Sequence, residues 1–169
     1  MTVAHGHAPG RRRRDPERLP FFVYGTLRPG EVNHDAFLRG RTRAEEPARL
    51  TGAVLYAGPG YPYAVEEPGG TVHGDLVTAH PEAYDELLLT LDRLEEYIPG
   101  DPRSLYVRVA REVTRLMAGD VTRTAGRGGV RARDTVRAWV YVAAPAVTAR
   151  LRSHGKPIEG GDWRTRPTA

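Results

Sequence analysis

The hydrophobic pattern divides the chain into short apolar runs separated by glycine- and proline-rich segments. Apolar runs of this kind, bounded by turn-forming residues, are typical of β-strands. The pattern predicts strands over residues 21–24, 48–56, 63–65, 71–78, 105–116 and 135–143. A turn at residues 68–70, Pro-Gly-Gly, is expected to join the third and fourth of these strands.

Helical periodicity is convincing in one long segment, from about Pro81 to Tyr97. Proline suits the first turn of a helix, and acidic residues follow it near the positive end of the helix dipole. Short helices are expected from a cap at Asn33 to about Leu38 and over residues 145–151. Because strands outnumber helices and do not alternate strictly with them, the order predicts an α+β fold. Its sheet is expected to be mostly antiparallel and barrel-like, with one main helix and short helices.

The main helix places two adjacent glutamates on different faces. At about 100° per residue, Glu95 falls within the apolar stripe of the helix and Glu96 falls outside it. A carboxylate directed towards a core is costly unless it is paired or neutral, and burial raises its pKa towards values useful for proton transfer. Two interpretations remain open. Glu95 either transfers protons, or lies at a frayed helix end where it reaches solvent or pairs with an arginine.

The loop after the first strand is a second candidate site. Gly25 lets backbone N–H groups approach an anion closely, Thr26 adds a hydroxyl donor, and Arg28 is near them in sequence. This combination suits a carboxylate, although an ordinary tight turn has the same sequence character.

Composition and charge narrow the function classes. The 169 residues are the length of one ordinary domain and contain no cysteine, which excludes disulfides, thiolate metal ligands and a cysteine nucleophile. Neither serine lies in a Gly-x-Ser-x-Gly turn, and no phosphate-binding glycine loop or metal-ligand histidine spacing is present. We therefore expect no metal. No apolar run is long enough for a membrane helix or follows the arginines as a secretory signal would require, so we expect a cytoplasmic protein without membrane contact.

The net charge of +4 is concentrated at the beginning of the chain. Residues 1–18 hold five arginines and two acids, so they contribute +3 of that charge. We interpret residues 1–18 as a disordered, arginine-rich tail and residues 19–169 as one domain. Nucleic-acid binding by the tail is the weakest functional hypothesis and no nucleic-acid partner is expected, because the folded part is nearly neutral.

Several segments, taken together, resemble the γ-glutamylcyclotransferase-like superfamily. The superfamily includes the γ-glutamylamine cyclotransferases, the AIG2-like plant proteins and the BtrG-type enzymes. The matching pieces occur in family order over about residues 20–164. They are residues 23–27 (VYGTL), 33–34 (NH), 60–62 (GYP), 91–95 (LDRLE), 106–108 (YVR), 138–141 (AWVY) and 161–163 (GDW).

The resemblance implies the superfamily's fold and its reaction, a conversion of an L-γ-glutamyl amide to 5-oxoproline and a free amine without a cofactor. It implies that Glu95 is the catalytic acid/base. Tyr24, Gly25, Thr26 and Leu27 would bind the α-amino-acid end of a small γ-glutamyl substrate. The resemblance also places Tyr106 at the substrate pocket.

Several questions stay open at the level of the sequence. Arg108 is either structural or functional, and Glu96 stands where many relatives have glycine. The alternative is that the protein is not an enzyme but a small-ligand binding module or a regulatory module on the same fold. The amine leaving group, whether a peptide amine, a lysine isopeptide, a polyamine or an aminoglycoside intermediate, is undetermined, and so is the oligomeric state.

Overall fold

The computed structural model describes residues 18–116 and 135–167. In these residues five strands form a closed barrel in the order β1-β3-β2-β4-β5. The strands are β1 (Phe21–Val23), β2 (Thr42–Ala57), β3 (Pro62–Ala79), β4 (Tyr106–Arg115) and β5 (Thr135–Ala143). All neighbouring pairs are antiparallel except β1 and β5, which close the barrel through a parallel pairing of Phe21 with Trp139. The predicted α+β fold with a mostly antiparallel, barrel-like sheet is confirmed. Of the predicted disordered tail at residues 1–18, residues 1–17 lie outside the described residues, whereas Arg18 is described and donates to the Pro81 carbonyl oxygen over 2.9 Å and to Asp85 over 3.3 Å. A loop rich in glycine and arginine, which the sequence predicts over residues 118–134, also lies outside them.

In residues 18–116 and 135–167, three helices and three short 3₁₀ turns accompany the barrel. The helices are α1 (His34–Phe37), α2 (Tyr84–Leu94) and α3 (Pro145–His154), and the turns are Pro81–Ala83, Glu159–Gly161 and Trp163–Thr165. None of the helices among the described residues has the length and apolar character needed to cross a membrane.

The two strands predicted at 63–65 and 71–78 are one continuous strand, β3, so the prediction that a turn at residues 68–70 separates them was wrong. Both halves of β3 pair antiparallel with β2, but the register changes between the Thr51–Thr71 pair and the next pair, Ala53–Glu66. The residues between them form a bulge instead of a reversal. Gly69 adopts a left-handed φ of +86° in the bulge, and a Cβ on Gly70 would lie 2.2 Å from the carbonyl oxygen of Ala53. The glycines therefore accommodate extra residues without ending the strand.

Strand β1 is buried on both faces. Phe21 and Val23 pack in the hydrophobic cluster that contains Leu87 and Leu91 of α2. The alternate side chains, Phe22 and Tyr24, pack in a second cluster built from strand residues such as Leu55, Leu76 and Val140. Burial on both faces explains the uninterrupted apolar run from residue 21 to 24. It also fixes the point at which the following loop leaves the barrel.

The main helix is shorter than predicted. Its first residues form a 3₁₀ turn, and its last helical residue is Leu94, so Glu95 occupies the C-cap position with φ −84° and ψ 5°. Glu96 follows with a φ of +50°, and it is the one non-glycine residue with positive φ in the described part of the chain. This left-handed residue ends the helix in the manner of an αL C-terminal motif.

The cap predicted for α1 also differs from the expectation. Asn33 does occupy the N-cap position, but its side chain makes no capping hydrogen bond. Its amide instead donates to the hydroxyl oxygen of Thr26 over 3.0 Å. Asn33 therefore supports the loop after β1 instead of the helix that it precedes.

Candidate active site

A cavity lies where the loop after β1 meets the end of α2 and the adjoining parts of β4 and β5. Its empty volume is about 380 Å³. All six residues that the sequence predicts for the site line this one cavity, namely Tyr24, Gly25, Thr26, Leu27, Glu95 and Tyr106. An outer cavity with an empty volume of about 670 Å³ shares Thr26, Tyr61, Glu95 and Tyr106 with it. The two cavities are therefore adjacent, and Glu95 lies on the wall of both.

The carboxyl group of Glu95 is partly buried and has no ion-pair partner in residues 18–116 and 135–167. The buried leucines Leu87 and Leu91 hold α2 against the barrel, and the Glu95 N–H donates to the Leu91 carbonyl oxygen over 2.9 Å. Among the described residues, no arginine lies within ion-pair distance of the carboxylate. Burial raises the pKa of Glu95 from 4.5 to about 7. The group is thus at a helix end, as one interpretation held, but it is neither exposed nor paired with an arginine.

Glu96 provides the contrast that the helical wheel predicts. Its side chain is exposed and lies at the rim of the outer cavity. Two consecutive glutamates therefore occupy different environments, and one of them is suited to exchange protons near neutral pH.

The loop at residues 25–27 lines the inner cavity together with Glu95. A turn is closed by the Arg28 N–H, which donates to the Gly25 carbonyl oxygen over 3.1 Å, and the Asn33 N–H donates to the Thr26 carbonyl oxygen over 2.9 Å. No acceptor within the described part of the chain is recorded for the N–H groups of Gly25, Thr26 or Leu27. Free N–H groups on a cavity wall can stabilise an anion.

Gly25 has a steric role in this loop. A Cβ atom at this position would lie 2.7 Å from Cδ of Pro62, another residue of the cavity wall. The glycine therefore permits close packing of two loops, in addition to the backbone approach to a ligand that the sequence suggests.

Arg28 does not take the position that the sequence analysis gave it beside an anion. Its Nε donates to Asp75 over 2.7 Å and its Nη1 to Asp162 over 2.8 Å, and the side chain is buried. The guanidinium group is thus engaged with two carboxylates of the protein. Its role is to anchor the loop to β3 and to the segment around residue 162.

Three tyrosines of the cavity wall are fixed by hydrogen bonds to the protein. The Tyr24 hydroxyl donates to the carbonyl oxygen of Tyr141, the Tyr106 hydroxyl donates to that of Pro62 over 2.7 Å, and the Tyr141 hydroxyl donates to Oδ1 of Asp92 over 2.6 Å. Burial is the main cause that raises the pKa of each hydroxyl, and the charge of Glu95 raises all three further. These side chains are therefore neutral phenols at physiological pH.

Arg108 lies outside both cavities. Its Nε donates to Oδ1 of Asp92 over 2.9 Å, and its guanidinium carbon lies 4.4 Å from the centre of the Trp139 ring. Asp92 precedes Glu95 by three residues on α2. The contacts of Arg108 thus tie the end of the helix to β4 and β5, which favours the structural alternative for this residue.

Sequence reasoning did not assign Tyr61, Pro62 or Tyr141 to the site, although all three line the inner cavity. Each belongs to a segment that resembles the superfamily, and the Gly-Tyr-Pro loop was the available signal for two of them. Nothing in the period-two pattern of β5 distinguishes Tyr141 from its neighbours. No group of three or more histidine, aspartate or glutamate side chains suited to a metal is found in the described residues.

Comparison with known proteins yields one family match and several similar structures. The model of the family described as "Gamma-glutamyl cyclotransferase, AIG2-like" matches residues 21–165. A relative from Niallia circulans, gamma-L-glutamyl-butirosin B gamma-glutamyl cyclotransferase, is 38 % identical over 94 residues. The match covers 54 % of this chain and 56 % of the relative, so it spans about half the length of each protein.

Two solved structures are similar to the barrel. A solution structure of a protein from Arabidopsis thaliana is 27 % identical, with a TM-score of 0.55, and the match covers 91 % of this chain and 77 % of that one. The crystal structure of an AIG2-like protein from Mus musculus is 23 % identical, with a TM-score of 0.53 and coverage of 89 % and 85 %. The second likeness supports the fold alone.

Proposed function

Since the chain belongs to the AIG2-like γ-glutamyl cyclotransferase family, we propose that it is a cyclotransferase that converts an L-γ-glutamyl amide to 5-oxoproline and a free amine. The observation that carries this proposal is the state of Glu95. Its carboxyl group is partly buried and unpaired, its pKa is raised to about 7, and it lines a cavity together with a loop of free N–H groups.

The reaction is an intramolecular aminolysis, in which both reacting groups belong to one substrate molecule. The cavity holds the γ-glutamyl chain folded so that the α-nitrogen lies against the γ-carbonyl carbon, which removes much of the entropic barrier. The α-ammonium must first lose a proton, and Glu95 in its carboxylate form accepts it. The nitrogen then forms a bond to the carbonyl carbon and closes a five-membered ring.

The second half of the reaction returns the proton. Protonated Glu95 donates to the leaving nitrogen and, as a carboxylate again, accepts the second proton of the ring nitrogen. The original amide C–N bond breaks as the carbonyl re-forms, the free amine departs while 5-oxoproline remains, and Glu95 releases the second proton to the departing amine or to solvent. A carboxyl with a pKa near 7 is suited to both directions of transfer, because neither protonation state is strongly disfavoured at neutral pH.

The N–H groups at residues 25–27 have two possible anionic ligands. They would bind the α-carboxylate of the substrate, or they would stabilise the negative charge that develops on the γ-carbonyl oxygen during attack. Both roles place the γ-glutamyl group in the inner cavity and leave the outer cavity for the amine.

The proposal is tested by measuring 5-oxoproline release from a panel of γ-glutamyl amides. The panel includes amides of an amino acid, a lysine ε-amine, a polyamine and an aminoglycoside, the last because the relative from Niallia circulans is named for a γ-glutamyl-butirosin. We expect Glu95→Gln to lower turnover roughly 10²-fold or more. The matched neighbour Glu96→Gln should change it little, because an exposed carboxylate contributes little.

Two results would contradict the proposal. If the wild-type protein binds γ-glutamyl amides but releases 5-oxoproline from none of them, the non-catalytic binding module is the better hypothesis. If activity falls only with Glu96→Gln, Glu95 has no part in the mechanism.

A further inference from the structure

Tyr106 and Tyr141 line the inner cavity, and the hydrogen-bonding role of each phenolic oxygen is fixed by its partner. Tyr106 donates its only hydroxyl proton to a backbone carbonyl oxygen, which cannot donate in return. Tyr141 donates its proton to the carboxylate of Asp92, which also accepts from Arg108. Each hydroxyl has one proton and that proton is already engaged, so towards a ligand each oxygen is an acceptor.

These two oxygens have unused acceptor capacity. The hydroxyl oxygen of Tyr24 already accepts from the N–H of Ala64 over 3.3 Å, whereas no donor to the hydroxyl oxygens of Tyr106 or Tyr141 is recorded among residues 18–116 and 135–167. Both phenols remain neutral, since burial raises the pKa of each. Two tyrosines of the cavity wall therefore have neutral oxygens with free lone pairs.

The surroundings of these oxygens indicate which ligand group they would bind. The charge of Glu95 acts on both hydroxyls, and no arginine, lysine or histidine lines the inner cavity. Arg108 also acts on the Tyr141 hydroxyl, but its guanidinium group is paired with Asp92 and the residue does not line the cavity. Acceptor oxygens beside a carboxylate, in a cavity whose wall carries no basic side chain, are complementary to a ligand cation that carries N–H donors. The loop at residues 25–27 has the opposite preference, for an anionic group, because its N–H groups are hydrogen-bond donors.

We propose that Tyr106 and Tyr141 bind the α-ammonium group of the substrate through their phenolic oxygens and present it to Glu95. The identification of this ammonium rests on the proposed function. The site discriminates between γ-glutamyl amides and otherwise identical amides that lack the α-amine. It also orients the substrate, with its amine towards the tyrosines and an anionic oxygen towards the loop.

The same arrangement helps the step that follows deprotonation. The neutral amine keeps two N–H bonds, and the tyrosine oxygens can accept both of them. With its N–H bonds directed at the tyrosines, the nitrogen has its lone pair free for the γ-carbonyl carbon. A partner that donated to the nitrogen would instead occupy that lone pair and block the attack.

The experiment compares two ligands on the same variants. One is a γ-glutamyl amide, and the other is the glutaryl amide with the same amine, which lacks the α-amino group and cannot cyclise. Binding is measured by calorimetry in the Glu95→Gln background, in which turnover is slow, with and without Tyr141→Phe. Tyr56→Phe is the control, because the Tyr56 hydroxyl donates to Glu67 over 3.1 Å and the residue lines neither cavity.

We expect Tyr141→Phe to weaken binding of the γ-glutamyl amide about 10-fold, as expected for loss of a hydrogen bond to a charged group. Binding of the glutaryl amide should change less than about 2-fold, and Tyr56→Phe should affect neither ligand. Tyr106→Phe should show the same selectivity, and thermal melting confirms that each variant is folded. Equal losses for both amides would show a structural effect, and no loss for either would also overturn the proposal.

Calorimetry separates this inference from the proposed function. A selective loss in a protein that releases no 5-oxoproline would refute cyclotransferase activity and retain the ammonium site. Release of 5-oxoproline without a selective loss would retain the activity and refute the assignment of the tyrosines.

Discussion

Replacing Glu95 with glutamine should change the pH dependence of stability in a way that a surface glutamate does not. Burial raises the pKa of Glu95 in the folded protein from 4.5 to about 7. Between these two values the unfolded chain releases the proton while the folded protein retains it. The wild-type protein therefore loses stability as the pH rises from about 4.5 to about 7, and the loss is complete above that range.

The difference in pKa sets the size of the effect. It corresponds to on the order of 3 kcal/mol at pH 8 and to less than about 1 kcal/mol at pH 5. Glutamine fills a similar volume but has no charge, so Glu95→Gln should be more stable than the wild-type protein by these amounts. Other titrating groups are common to both proteins and cancel in the difference.

Urea unfolding of the wild-type protein, Glu95→Gln and Glu96→Gln at pH 5, 6, 7 and 8 measures this difference directly. Glu96 is exposed, so the curve for Glu96→Gln should stay parallel to the wild-type curve at every pH. A stability difference for Glu95→Gln that does not grow between pH 5 and pH 8 would refute the raised pKa. That result would also remove the explanation that burial adapts Glu95 to proton transfer.

Three further predictions concern the support of the site. Arg28→Met should destabilise the protein by about 3–5 kcal/mol in urea unfolding, because it leaves the two carboxylates without their cation; a loss below about 1 kcal/mol would mean that the buried pairs contribute little. Gly25→Ala should lower both the melting temperature and the rate of 5-oxoproline release, because the new Cβ would contact Pro62 at 2.7 Å, and an unchanged protein would show that the loops separate easily. Deleting residues 1–17 should leave melting temperature and turnover unchanged, so a large loss of either would show that this segment contributes to the domain.

The position of Glu95 could be predicted because it depends on a local regularity. A helical repeat of 3.6 residues places a side chain relative to its neighbours without knowledge of the rest of the fold, so Glu95 and Glu96 could be separated by angle alone. The early end of the helix did not affect this result, because the C-cap residue still follows the last helical turn.

The partners of Arg28 could not be predicted in the same way. Its two carboxylates lie 47 and 134 residues away in the chain, and no local pattern states which distant acid a given arginine will meet. The bulge in β3 has a related cause. A Pro-Gly-Gly sequence is compatible with a reversal or with extra residues in a strand, and the choice is made by pairing with β2 on both sides of it.

The contact between Arg28 and Asp162 has a consequence for the order of folding. The loop that carries the free N–H groups is formed near the beginning of the chain, and one of its anchors is 134 residues later. The strand that precedes it, β1, closes the barrel against β5, which is the last strand in the described part of the chain. During synthesis, a chain that has not yet reached residue 162 lacks this anchor, so the site should assemble late and with the high contact order typical of slowly folding barrels.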